Sequence, residues 1–333
     1  MSYVDTLLKA ERPFLTDGGF ETWLFFQQGF EAPQFAAIVL MDDDDARQAM
    51  RRYFDGFLTM ASNARTGFVL DTNTWRGCTR WAPALNKSAG QMLRLTMDAV
   101  AFAKDVRADW QSRVSPIVLN GVVGPAGDGY APEDVPEAEA SREMHRPQVD
   151  CLARAGVDMI SALTMTNTNE AIGITRTAID VGLPIVVSFT VETNGCLPTG
   201  ESLEQAVGRV DAATGEAPVY YMVNCAHPDH FRDALQAGGG WVGRIGGVRA
   251  NASRQSHAEL DAAVFLDDGD PEEFGSLHSE LVELLPNLRV VGGCCGTDHR
   301  HVGCVSQRLH PKAANDVSGL VAHEPLEESS VTD

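Results

Sequence analysis

The sequence has no apolar run approaching the ~18 residues that a membrane-spanning helix needs. Its opening, Met1-Ser2-Tyr3-Val4-Asp5, lacks the basic region and apolar core of a signal peptide. It is also short of positive charge, with 26 Lys and Arg against 46 Asp and Glu, a formal net charge of −20. So acidic a surface argues against nucleic acid or an anionic membrane as a partner and favours small molecules. Seven cysteines, an odd number in 333 residues, do not make a secreted disulfide framework. The expectation is a cytoplasmic protein. Two further absences bear on the fold. There is no tandem repeat, and no Gly-x-Gly-x-x-Gly follows the first strand-like run, where Asp17-Gly18-Gly19 is too short to be a dinucleotide fingerprint.

What is present is an alternation. Short apolar runs occupy 13–16, 67–70, 116–119, 157–162, 184–189, 219–223, 241–248 and 288–291, each ending in polar or glycine-rich residues. Between them lie helical patterns at 45–64, 88–107, 141–155, 168–181, 202–210, 230–237, 271–285 and 297–309. Asp42 to Asp45 suits the start of the first of these, where negative charge complements the helix dipole. Ser202-x-x-Gln205 is a capping-box pattern. Eight strands alternating with helices predict an α/β fold, a single-domain (β/α)8 barrel over residues 1–312. The polar composition of 313–333 predicts a mobile tail. Loops 124–139 and 250–269 are long enough to cover a pocket on the face where barrels place active sites.

Chemistry concentrates in Gly292-Gly293-Cys294-Cys295-Gly296-Thr297. A β-branched run stops in glycines and presents two thiols. Such a pair can form a vicinal disulfide, lie inert, or bind a soft metal such as zinc. Cys225, at the end of the sixth apolar run, is the natural third sulfur, since only the seventh strand would separate it from the pair. Three thiolates leave one tetrahedral position open. They make zinc a poor activator of water but a good holder of an electron-rich fourth thiolate. Cys78, Cys151, Cys196 and Cys304 read as incidental or core. His227 and His230 are set apart from a zinc site by the intervening Pro228, His145 reads as surface or outer shell, and Asp298, His299 and His301 as a helix start.

Asp17-Gly18-Gly19-Phe20-Glu21-Thr22, Asp71-Thr72-Asn73-Thr74, Val223-Asn224-Cys225 and Gly292 to Thr297 together resemble the zinc-dependent homocysteine S-methyltransferase family. The resemblance extends from about Pro13 to about Leu309. It implies a barrel in which Cys225, Cys294 and Cys295 hold Zn²⁺, and a homocysteine whose amino-acid end meets Asp17, Gly18 and Gly19. Asp17 would take the ammonium, and the two glycine N–H groups a carboxylate. Glu21 would orient this loop or touch substrate. Asn73 and Asn224 would position substrate or tie loops together, and Thr164 is a further contact. The implied reaction moves a methyl group from a sulfonium or quaternary ammonium donor (S-methylmethionine, S-adenosylmethionine, dimethylsulfoniopropionate or a betaine) to homocysteine, giving methionine. Trp75 or Trp81 could receive the donor's cation. Homo-oligomers are possible. Two departures stand out. The family's Phe-Glu-Thr triplet at the fourth strand is Ala162-Leu163-Thr164, and a Pro-Asn-Ser-Gly-like segment is replaced by Arg249-Ala250-Asn251-Ala252-Ser253-Arg254. They leave open a different thiol acceptor, a Cys294–Cys295 redox protein, or a zinc-storage barrel.

Overall fold

The computed structural model describes residues 2–311 apart from 131, 133 and 134, so the expected tail and the boundary at 312 lie outside the described residues. Eight parallel strands close into a barrel in chain order. They are β1 (Phe14–Leu15), β2 (Phe68–Asp71), β3 (Ile117–Val123), β4 (Met159–Met165), β5 (Ile185–Phe189), β6 (Pro218–Asn224), β7 (Ile245–Ala250) and β8 (Val290–Gly293). All eight overlap the apolar runs, because a parallel strand covered on both faces must be apolar along its length; the seventh starts later than expected, at Ile245, since Gly240–Arg244 is a helical turn. β1 pairs with β8 and completes the ring.

The connecting helices fall where the 3.6-residue pattern puts them, and one more, His257–Ala262, lies within the segment expected as a loop after β7. The helix Asp44–Ala64 starts at Asp43, whose side chain accepts from the N–H groups of Asp45 and Ala46. Leu203–Thr214 starts with the expected Ser202/Gln205 capping box. The helices bury one face against the strands, with Tyr53, Phe57 and Leu58 fully enclosed. A six-residue helix, Tyr3–Leu8, was not legible in the sequence. Its Val4 and Leu7 pack under the barrel with Phe14, Val69, Val118, Met159, Val186, Tyr220, Met222 and Val290. No helix among the described residues is long and apolar enough to cross a membrane.

Candidate metal and substrate site

The C-terminal strand ends surround a cavity of about 410 Å³. Asp17, Gly18, Gly19, Glu21, Asn73, Thr164, Asn224, Cys225, Cys294 and Cys295 all line it. Three strand ends are laced together to bring the sulfurs close. Cys225 N–H donates to the carbonyl of Arg249 at 3.1 Å, Cys294 N–H to that of Ala250 at 2.8 Å, and Ala252 N–H to that of Cys295 at 3.1 Å. The three thiol sulfurs lie within 4.8 Å of one another, a group able to hold a metal ion. Cys225 and Cys294 are joined by a disulfide here, and Cys295 is a free thiol 4.0 Å from the sulfur of Cys225. The bridge is therefore not the vicinal Cys294–Cys295 pair. The Cα atoms of Cys225 and Cys294 are 5.3 Å apart, within the usual span, whereas adjacent residues sit only ~3.8 Å apart. An ion enters this donor set only with all three sulfurs as thiolates.

The backbone at the site is held in unusual conformations. Cys225 has φ 52° and Thr164 φ 62°, a left-handed region that costs a side-chain-bearing residue energy. Asn224 holds both. Its Oδ1 accepts from Thr164 N–H at 2.9 Å and from Ser188 Oγ at 2.6 Å, and its Nδ2 donates to Thr164 Oγ1 at 2.8 Å. The asparagine side chain is thus used inside the protein, between β4, β5 and β6. Asn73 Nδ2 is 3.6 Å from the sulfur of Met50.

The glycine loop differs from expectation in one respect. Gly18 N–H donates to Tyr53 Oη at 3.1 Å, and Gly19 N–H to Thr297 O at 2.9 Å, so neither stands open for a carboxylate. Gly19 serves close approach instead. A Cβ there would lie 2.4 Å from the carbonyl oxygen of Cys294.

Arg249, which sequence reasoning noted only as a departure, is a central member of the site. It is 8% exposed and pairs with Asp17 at 2.5 Å and with Asp71. Its Nε donates to Gly293 O at 3.2 Å. Burial raises the Asp17 carboxyl to about 6 against the pull of Arg249, with Asp71 pushing the same way. Burial likewise raises Glu21 to about 7. Leu163, an apolar side chain, lines the same cavity.

Tyr130, from the long loop after β3, also escaped sequence reasoning. Its hydroxyl is 3.5 Å from the sulfur of Cys295, and its ring stacks on His257 with centroids 4.1 Å apart. His257 Nε2 lies 2.9 Å from the carbonyl oxygen of Cys225, so this pair braces two of the three cysteines. Burial pushes the Cys295 thiol up, and the Tyr130 hydroxyl opposes that shift. Of the two rings considered for a donor cation, Trp75 lines the cavity and Trp81 does not, and the guanidinium of Arg76 covers one face of each, 4.0 and 4.1 Å from the centroids. His145, read as surface or outer shell, is fully buried and bonds Glu170 at 2.8 Å. Helix 138–155 turns this residue inward against helix 168–181.

The homocysteine S-methyltransferase family model matches residues 14–309. The chain belongs to that family. Its fold is similar to the metallated homocysteine methyltransferase MmuM from Escherichia coli, with a TM-score of 0.73 at 19% identity over 92% of this chain and 100% of that one. The oxidized form of the same Escherichia coli protein gives 0.71 at 20% identity, again over 92% and 100%. Membership in the homocysteine S-methyltransferase family makes this barrel an enzyme, a methyltransferase.

Proposed function

We propose that this homocysteine S-methyltransferase family member moves a methyl group from a sulfonium or quaternary ammonium donor to homocysteine, giving methionine, with zinc held by Cys225, Cys294 and Cys295 in their reduced form. A cytoplasmic setting is part of the proposal. The observation that carries it is the convergence of three sulfurs on the wall of the cavity at the barrel's C-terminal end. Three cysteine sulfurs fit zinc's preference for soft, tetrahedral ligation. Bound there, the ion lowers the pKa of an incoming thiol and keeps its sulfur nucleophilic.

The chain's own residues do the rest. Asn224, Thr164 and Ser188 fix the backbone that aims Cys225. Arg249 holds the ends of β1, β2, β7 and β8 together through Asp17, Asp71 and Gly293. Asp17 is thereby a positioning residue, and Gly18 and Gly19 let the glycine loop lie against the Cys294 turn. Glu21 takes the acceptor's ammonium. Its carboxyl is raised to about 7 by burial, and a neighbouring cation favours its ionised form. Phe26, Phe35, Phe54 and Phe265 give the cavity an apolar, aromatic wall, and Asp261 adds negative charge. That combination suits a methylated cation. The roles of Asn73 and Thr164 toward substrate belong to the same proposal.

A second reading, a thiol acceptor without an amine, is favoured by Leu163 and by the pairing of Asp17 with Arg249. The test is a donor screen with homocysteine, with methylated product read by mass spectrometry and bound zinc measured in parallel. About one zinc per chain and methionine from at least one donor support the proposal. Methylation of an amine-free thiol alone supports the second reading, and no zinc with no transfer refutes both.

A further inference from the structure

Arg76 is a buried cation with no carboxylate in ion-pair contact among the described residues. It is 8% exposed, yet it makes no ion pair among the described residues, whereas Arg249, equally buried, is paired twice. Its guanidinium lies between the rings of Trp75 and Trp81. Its Nη1 donates to the carbonyl of Gly127 at 2.9 Å and reaches that of Pro125 at 3.5 Å. Its Nε is buried without a partner, and Nη2 takes none among the described residues. Glu21 and Asp128 act on it through space without pairing with it.

Burying an unpaired charge is costly, and a protein ordinarily removes the cost with a neighbouring carboxylate. Here that neighbour is missing at the wall of the active cavity, which Arg76 lines. The two indole rings hold the guanidinium plane still, but they use its faces and not its hydrogens. Two carbonyls engage only Nη1. Nε is shut away from solvent as well as unpartnered, so Nη2 is the nitrogen left to donate to a carboxylate. Glu21, lining the same cavity, has no ion-pair partner among the described residues either. One unpaired cation and one unpaired carboxylate, not bonded to each other, complement a zwitterionic amino-acid end.

We propose that Arg76 binds the carboxylate of a substrate in the cavity, through Nη2. The inference rests on the thiol methyl-transfer reading above. The carboxylate belongs to the acceptor or to the donor, and two arms of one experiment separate these sources. In the first, reduced, zinc-loaded wild type and Arg76→Gln are titrated calorimetrically with homocysteine and with 3-aminopropane-1-thiol, which keeps thiol and amine but lacks the carboxylate. The wild type should prefer homocysteine by about 10- to 150-fold, the worth of one charge-assisted hydrogen bond. The variant should show a ratio within about threefold, with bound zinc and melting temperature unchanged. Arg76→Lys keeps the charge but not the planar donor fixed between two indole rings and should lose at least about half of that preference on a logarithmic scale; it also serves if the glutamine variant fails to fold.

In the second arm, kcat/KM is compared for dimethylsulfoniopropionate and for trimethylsulfonium, which lacks a carboxylate. A preference lost in the variant here, with the acceptor ratio intact, assigns Arg76 to the donor. Wild-type ratios in both arms overturn the proposal. A zinc-loaded wild type that binds neither thiol overturns the methyl-transfer reading itself, and that failure shows before any variant is made.

Discussion

Replacing Arg249 with Leu tests whether the site is held together by one buried cation. The guanidinium contacts Asp17, Asp71 and the carbonyls of Gly293 and Gly18, the last at 3.4 Å. Without it, Asp17 keeps only the hydroxyl of Thr16 at 3.2 Å, and Asp71 keeps Asn120 at 2.7 Å. Removing one partner from a buried ion pair costs roughly 3–5 kcal/mol, because the remaining charge is left in a poor solvent. That is a large fraction of the ~5–15 kcal/mol of stability a domain has. The deficit should depend on pH. Asp17 already stands at about 6 with the guanidinium present and moves higher without it. A carboxyl whose folded pKa is raised binds more protons folded than unfolded, so the penalty grows as pH rises from about 4 toward the folded pKa. Urea unfolding at pH 5 and pH 8 should therefore show a much smaller loss at pH 5. Adding Asp17→Asn should restore part of the loss at pH 8. A variant within about 1 kcal/mol of wild type at pH 8, or one equally weakened at both pH values, would falsify this account of Arg249.

Single Ser replacements of Cys225, Cys294 or Cys295 should abolish methyl transfer and lower bound zinc, while Cys196→Ser and Cys304→Ser do neither; full zinc in Cys294→Ser sinks the three-sulfur site. Gly19→Ala brings a Cβ to within 2.4 Å of Cys294 O, so chelator competition should show zinc bound at least about tenfold more weakly by a still-folded barrel, and an unchanged affinity contradicts the close-approach role. Leu163 cannot bond an ammonium, which leaves Glu21 as its one proposed carboxylate, so kcat/KM for homocysteine should exceed that for 4-mercaptobutyrate by about 10- to 150-fold; a ratio above about a thousandfold shows a second carboxylate at the amine, and a ratio near one removes the amine site. What amine preference exists should grow as pH rises through about 7, where Glu21 loses its proton, and vanish in Glu21→Gln; a preference that survives in that variant excludes Glu21.

The barrel was legible because its strands are covered on both sides. Val118, Leu119, Val186 and Val187 must be apolar whatever their neighbours are, and runs of this kind survive in a single sequence. The cysteine trio was legible for a related reason. In an in-order barrel β6 and β8 flank β7, so strand count alone put the three sulfurs near one another. What escaped the sequence depends on side chains crossing between elements. Arg249 meets Asp17 across 232 positions and Asp71 across 178. Its only local signal was a charge at the end of an apolar strand. Trp75 and Trp81 looked like open aromatic faces because nothing in the chain says that the Arg between them folds back into the gap. The two glycine N–H groups looked free because the residues that take them, Tyr53 and Thr297, sit in distant elements.

The short helix Tyr3–Leu8 covers the lower end of a barrel whose interior is already filled by side chains, so the cavity opens at the strand ends. Among the described residues, whatever reaches the three sulfurs does so past an aromatic rim, where the exposed side chains of Phe26, Phe35 and Phe265 line the cavity. The floor of the fold and the rim of the cavity thus lie at opposite ends of the same strands, so stability is tuned at one end and access at the other.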